Sequence, residues 1–195
     1  PGGTREVTLE LKLVADVGIV GYPNVGKSTL ISVISAAKPK IAAYEFTTLV
    51  PNLGVVTVAD RSFVVCDVPG LIEKASEGKG LGHQFLKHIE RCGVLLHLLD
   101  LSRAMVDGSI DASLLINDYK AIRKELELYS ETLGAKQEIV VLNKADLTTD
   151  DLKPVLDELA AAGIQVFSPI SAAAHIGTED LMKHLLPIAL KEREN

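Results

Sequence analysis

The octapeptide Gly21-Tyr22-Pro23-Asn24-Val25-Gly26-Lys27-Ser28 constrains this chain more than any other stretch, because it fits G-x-x-x-x-G-K-S in the context that such a loop needs. Val17, Gly18, Ile19 and Val20 lead in as a strand would, and Thr29, Leu30, Ile31 and Val33 lead out as a helix would. Between them the backbone has to curl until successive N–H groups point inward, and Gly21 and Gly26 are the residues that tolerate such curvature. The curl is an anion cradle. The amides of the following helix extend it, Lys27 is placed to reach the β- and γ-phosphates of a nucleotide, and the Ser28 hydroxyl is a candidate ligand for Mg²⁺.

A chain of 195 residues, 47% hydrophobic and 24% charged, is most simply one soluble domain with a single substantial core. No apolar run is long enough to span a bilayer and the start lacks the apolar centre of a signal peptide, so the expected location is cytoplasmic. Cys66 and Cys92 each lie in apolar stretches and read as buried thiols. The net charge of −6 argues against wrapping nucleic acid by bulk electrostatics. Residues 1–14 open at Pro1-Gly2-Gly3 and then alternate, with Val7, Leu9, Leu11 and Leu13 apolar. They read as a linker and leading strand from a missing N-terminal domain, ahead of a nucleotide domain at 15–195.

Within that domain the pattern predicts a helix from 27 to about 37, an irregular loop over 40–52, and strands over 54–59 and 62–66 joined at Asp60-Arg61. A glycine-rich segment at 77–82, a helix near 85–90 and a fully apolar strand at 94–99 follow. Helical spacing over 114–129, a strand at 138–142, a helix at 151–162, a strand at 165–167 and a helix at 178–190 complete the chain. Alternating β and α implies an α/β fold: a P-loop NTPase domain with a mostly parallel six-stranded sheet, one strand antiparallel, and helices on both faces.

A triphosphate in the loop calls for a second metal ligand at the end of a neighbouring strand, and Asp67 of Asp67-Val68-Pro69-Gly70 has that position. The Gly70 N–H is then available to a γ-phosphate. Asn143-Lys144-Ala145-Asp146 names the base: a carboxylate at Asp146 accepts from both the ring N–H and the exocyclic amine of guanine, whereas adenine leaves it unpaired. Asn143 would tie this segment to the phosphate loop, and the stem of Lys144 would cover one face of the base. Ser171-Ala172-Ala173 would add a backbone N–H to the guanine carbonyl, although a serine at a helix start explains it equally well. Thr47 and Thr48, in the long loop after Phe46, are candidates to sense the γ-phosphate, with Thr48 preferred as a Mg²⁺ ligand.

In that order these segments resemble the five motifs of a translation-factor-type GTPase domain. Residues 46–54 and 80–91 further resemble the two switch segments of the Obg (CgtA) family. The resemblance implies a bacterial GTPase that associates with the large ribosomal subunit, acts in its maturation and is linked to the stringent response, with guanosine tetraphosphate as a further ligand. Lys74-Ala75 stands where that family commonly has Gly-Ala.

Leu71 follows Gly70, where many GTPases place a glutamine that orients water. A partner or a bound cation would have to compensate. Asn24 matches the position used by potassium-stimulated GTPases, which makes K⁺ an expected second cation; equally, asparagine simply suits the turn. The expected catalytic set is thus Asn24, Lys27, Thr48 and Gly70. Lys74, Lys79, Lys87 and Arg91 either meet ribosomal RNA or form a solvated face, and the five histidines show no metal-ligand spacing. A phosphotransferase is disfavoured for want of an arginine-rich lid. A guanine-nucleotide scaffold with negligible turnover remains the alternative to a slow hydrolase.

Overall fold

The computed structural model describes residues 15–41, 51–68, 86 and 89–191. The leading segment 4–14, Phe46, Thr47, Thr48, Pro69, Gly70, Leu71 and the lysines at 74, 79 and 87 lie outside the described residues. In chain order the elements are β1 (Val17–Gly21), α1 (Lys27–Ile34), β2 (Lys40–Ile41), β3 (Asn52–Val58), β4 (Arg61–Asp67) and β5 (Val94–Asp100). A 3₁₀ turn (Leu101–Ala104) leads to β6 (Met105–Val106), β7 (Ser109–Ile110), α2 (Ala112–Tyr129) and α3 (Glu131–Gly134). β8 (Glu138–Asn143), a 3₁₀ turn (Ala145–Leu147), α4 (Lys153–Ala161), β9 (Val166–Pro169) and α5 (Thr178–Ala189) follow.

The main sheet has the order β2-β3-β4-β1-β5-β8-β9. β1 pairs in parallel with β4 on one side and β5 on the other, and β3 runs against both of its neighbours. It is the one antiparallel strand. The expected six strands become seven only through the two-residue edge strand β2. Successive connections from β1 leave in opposite directions, so the crevice beyond the carboxyl ends of the strands is where a ligand fits. The phosphate loop, Asp67, Asp100 and Asn143 all lie at that end.

β5 shows why the sheet is covered twice. Val94, Leu96 and Leu98 pack with Ile19, Leu30, Phe63, Leu181 and Leu185 on one face. On the other, Leu95 joins Cys66, Ile122 and Leu126, and Leu99 joins Leu115, Val140 and Leu159. Each such leucine contributes about 1.5–3 kcal/mol by leaving water. Cys66 and Cys92 are buried free thiols, and burial pushes the Cys66 thiol well above its ordinary range. His97 interrupts the apolar run. Its Nδ1 lies 3.4 Å from Glu138, and its ring stacks on Tyr119 at 5.0 Å, whose hydroxyl donates to the same carboxylate.

Besides β2 at Lys40–Ile41 and the start of β3 at Asn52, which take both ends of the expected loop over 40–52 into the sheet, the structure departs from the sequence reading at further places. α1 ends at Ile34, short of residue 37, because Ser35 turns extended and the Ala36 amide donates to the Val55 carbonyl at 2.8 Å. The chain is drawn across β3 before the helix reaches Pro39. The β3–β4 turn falls on Ala59 and Asp60, one residue early, with Ala59 at φ 55°. A β6–β7 hairpin lies between the strand at 94–99 and the helical spacing from 114, where the sequence pattern assigns no element; Asp107 (φ 48°) and Gly108 (φ 80°) give it the left-handed pair that a tight hairpin requires.

Candidate functional site

The phosphate loop is shaped by its glycines through contact as much as through torsion. A Cβ on Gly21 would lie 2.8 Å from the Leu98 carbonyl oxygen, so β1 and β5 approach as closely as they do only without a side chain there. Gly26 has φ 104°, and a Cβ on it would lie 2.4 Å from Asn143 Nδ2. Gly26 also stands at the N-cap of α1, where no side chain takes up the first amides of the helix. Those amides remain available to an anion. Asn24 has φ 61°, a conformation that asparagine tolerates better than most residues, and is exposed.

Lys27 is buried, and its Nζ donates to the carbonyls of Gly21 (3.2 Å) and Tyr22 (3.1 Å), arching back over the loop. Ser28 Oγ donates to Asp67 Oδ2 at 3.2 Å, which joins the loop to the end of β4. Asn24, Gly26, Lys27, Ser28, Thr29 and Asp67 line a cavity of about 270 Å³. Asp67 Oδ1 is buried and accepts no hydrogen bond. Burial pushes this carboxyl above its ordinary range, more than the Lys27 charge and the Ser28 hydroxyl pull it down. A desolvated carboxylate with one oxygen unsatisfied, beside a hydroxyl, suits a hard divalent cation. Among the described residues no cluster of three His, Cys, Asp or Glu side chains could hold a metal alone. Val68 continues the ladder, its amide donating to the Ile19 carbonyl at 2.9 Å.

Asn143 ends β8 and is 2% exposed. Its Nδ2 donates to the Val25 carbonyl at 2.9 Å, and its Oδ1 accepts from the Ala172 amide at 3.0 Å. One side chain therefore joins the phosphate loop, the 143–146 segment and the turn after β9. Lys144 has φ 67°, and its Nζ donates to the Asn24 carbonyl (2.9 Å) and to Asp100 Oδ2 (2.8 Å). Its stem remains partly exposed alongside. Asp146 is exposed in the 3₁₀ turn, and among the described residues its carboxylate has no protein partner.

Ser171, Ala172 and Ala173 differ in which of their amides is engaged within the protein. The Ser171 amide is taken by the Ile176 carbonyl and the Ala172 amide by Asn143, while Ser171 Oγ accepts from the Ala174 amide. Of the three, only the amide of exposed Ala173 has no partner among the described residues. Ser171 serves the turn.

Sequence reasoning missed Asp100 and Arg103. Asp100 closes β5 opposite Asn143 in register, and an acid at the carboxyl end of an otherwise apolar strand was the available signal. Arg103 covers the outer face of the Tyr22 ring, with Pro23 half-buried beside it in sequence.

A family model described as 50S ribosome-binding GTPase matches residues 16–144. GTPase Obg of Alkaliphilus metalliredigens is 51% identical over 197 residues, covering 100% of this chain and 44% of its own length. GTPase Obg of Rickettsia felis is 50% identical over 190 residues, covering 97% and 54%. The chain thus spans about half the length of the curated relatives it matches. Among solved structures, a variant of Aquifex aeolicus Era bound to GDP·AlF4⁻ matches with a TM-score of 0.62 and 25% identity over 88% of this chain and 56% of that one. The matched span takes in the phosphate loop, Asp67, Asn143 and Lys144, and the chain, a P-loop GTPase domain by fold, belongs to the 50S ribosome-binding GTPase family.

Proposed function

We propose that this chain is the guanine-nucleotide switch domain of an Obg-type GTPase. It binds GTP and GDP with Mg²⁺, hydrolyses GTP slowly and, within its full-length protein, acts at the large ribosomal subunit in the cytoplasm. The observation that carries the reading is the pair of hydrogen bonds at Asn143, which donates to the Val25 carbonyl in the phosphate loop and accepts from the Ala172 amide in the turn after β9. They tie the segment that carries Asp146, whose carboxylate has no partner among the described residues, to the same end of the sheet as the anion cradle.

In this reading the loop amides and the first turn of α1 hold the β-phosphate, and Lys27 moves from the Gly21 and Tyr22 carbonyls onto the β- and γ-oxygens. Asp146 takes the guanine edge. Ser28 and Asp67 would hold Mg²⁺, with Thr48 as a further ligand in the triphosphate state, and the ion would supply positive charge to the phosphates. Gly70 offers its amide to the γ-phosphate. With leucine at 71, no side chain at that position orients water, and Asn24, exposed at the rim of the cavity, is the residue to hold K⁺ where positive charge is lacking. Helices among the described residues are none of them long and apolar enough to cross a membrane. Guanosine tetraphosphate carries the same base and enters as a competing ligand.

Titration of the Mg²⁺-loaded chain with GDP, ADP and guanosine tetraphosphate tests the assignment, with phosphate release from GTP followed in KCl and in NaCl, with and without 50S subunits. GDP is expected to bind about 10⁴-fold more tightly than ADP, and unstimulated turnover to fall at roughly 10⁻⁴–10⁻² s⁻¹. Equal affinity for ADP would overturn the guanine assignment. Equal rates in the two salts would remove K⁺, and no phosphate release under any condition would leave a binding scaffold.

A further inference from the structure

The geometry points to Asp100 as a positioning residue for guanine recognition, acting through Lys144; this rests on the guanine-nucleotide reading above and adds a residue that none of its motifs contains. Asp100 is 4% exposed, and its two oxygens are divided between two tasks. Oδ1 accepts from the Ser102 amide (2.9 Å) and hydroxyl (2.5 Å), which starts the 3₁₀ turn after β5. Oδ2 accepts from Lys144 Nζ at 2.8 Å. The same ammonium donates to the Asn24 carbonyl, so it is fixed at two points, one on β5 and one in the phosphate loop.

A lysine stem in water samples many rotamers, and laying it along the face of a base restricts them when the ligand arrives. Here the restriction is already in place. The Lys144 backbone is left-handed, its ammonium is tethered, and its side chain remains 31% exposed. The stem is thereby presented as a preformed wall two residues from Asp146. Asp100 supplies the tether and never meets the base.

This division predicts a signature that a general loss of structure would not produce. Asp146 reads the edge of the base and sets the preference for guanosine over inosine diphosphate, which lacks the exocyclic amine. Asp100 acts on the face of the base, which the two nucleotides share. Asp100→Asn retains an oxygen to cap Ser102 but presents an amide to the Lys144 ammonium. It is expected to weaken GDP and IDP alike, each by about tenfold, the loss of one charge-assisted hydrogen bond, and to leave their ratio unchanged. In a Lys144→Met background the same substitution is expected to have no further effect. Ser102→Ala, which disturbs the cap and spares the tether, is expected to bind GDP as the parent chain does.

The measurements are GDP and IDP affinities of the Mg²⁺-loaded chain and these variants, each checked by thermal melting. If Asp100→Asn does not fold, Asp100→Ser, with a short neutral acceptor for the cap, carries the same comparison. Parental affinity in the Asp100 variant, an equal loss in Ser102→Ala, an altered GDP/IDP ratio, or a full additional loss on top of Lys144→Met would each overturn the inference while leaving the guanine-nucleotide assignment intact. Failure of the parent chain to bind GDP would instead overturn both.

Discussion

The Arg103 guanidinium lies 4.2 Å from the centre of the Tyr22 ring, and Asp118 of α2 holds it there through Nε at 2.5 Å and Nη2 at 3.1 Å. The first variable residue of the phosphate loop is thus clamped from outside by a helix that contributes none of the expected nucleotide contacts. Arg103→Ala is expected to cost about 2 kcal/mol in urea unfolding, because Asp118 loses a charged partner and Tyr22 its cover. Arg103→Lys should recover less than half of that, since an ammonium cannot reproduce the planar two-point contact. Parental stability in both variants would count against the clamp.

Asn143 satisfies two backbone groups, one of them a buried carbonyl of the phosphate loop. Truncation to alanine is expected to lower stability by about 2–4 kcal/mol, the sum for two groups left unpaired. Asn143→Asp should be at least as damaging, since it keeps the acceptor for Ala172 but sets a carboxylate against the Val25 carbonyl. Chemical denaturation without nucleotide separates this from any effect on binding.

Gly26→Ala combines a positive φ with a Cβ 2.4 Å from Asn143 Nδ2. The expected outcome is a loss of about 1–3 kcal/mol together with loss of GDP binding, while far-UV circular dichroism stays unchanged. Wild-type GDP affinity would mean that the loop accommodates the methyl group by another route.

Glu138 makes one contribution to the pH dependence of stability. Burial pushes its carboxyl up, but hydrogen bonds from His97 and Tyr119, with the charges of His97 and Arg123, outweigh burial and hold it below the ordinary range. At this carboxyl the native state therefore binds fewer protons than the unfolded chain in the acid range, so its contribution to stability rises with pH there. The contribution is complete above the unfolded value of about 4.3 and is lost as pH falls through the lower native one. Glu138→Gln should cost about 2 kcal/mol near neutrality and flatten the acid limb of a stability profile. An unchanged slope would contradict the assignment.

What could be read from the sequence was whatever depends on local spacing. The curl at 21–28, the apolar run of β5 and the order of strands and helices follow from glycine placement and hydrophobic period, and they suffice for the fold. What could not be read depends on a partner far away in sequence. Nothing near Ser35 announces that Val55 will take the Ala36 amide and end α1 early. Asp100 reads as one more strand-terminal acid until β8 brings Lys144 beside it. Ser171 and Ala172 look available for a ligand until Ile176 and Asn143 take up their amides.

The bond from Asn143 to Val25 closes the chain across 118 residues. Closing so large a loop costs entropy that the pairing of β5 with β8 offsets. During synthesis the octapeptide emerges early and stays unfinished until β8 has followed it out. On the guanine-nucleotide reading, the loop can hold its ligand only once that span of chain has closed.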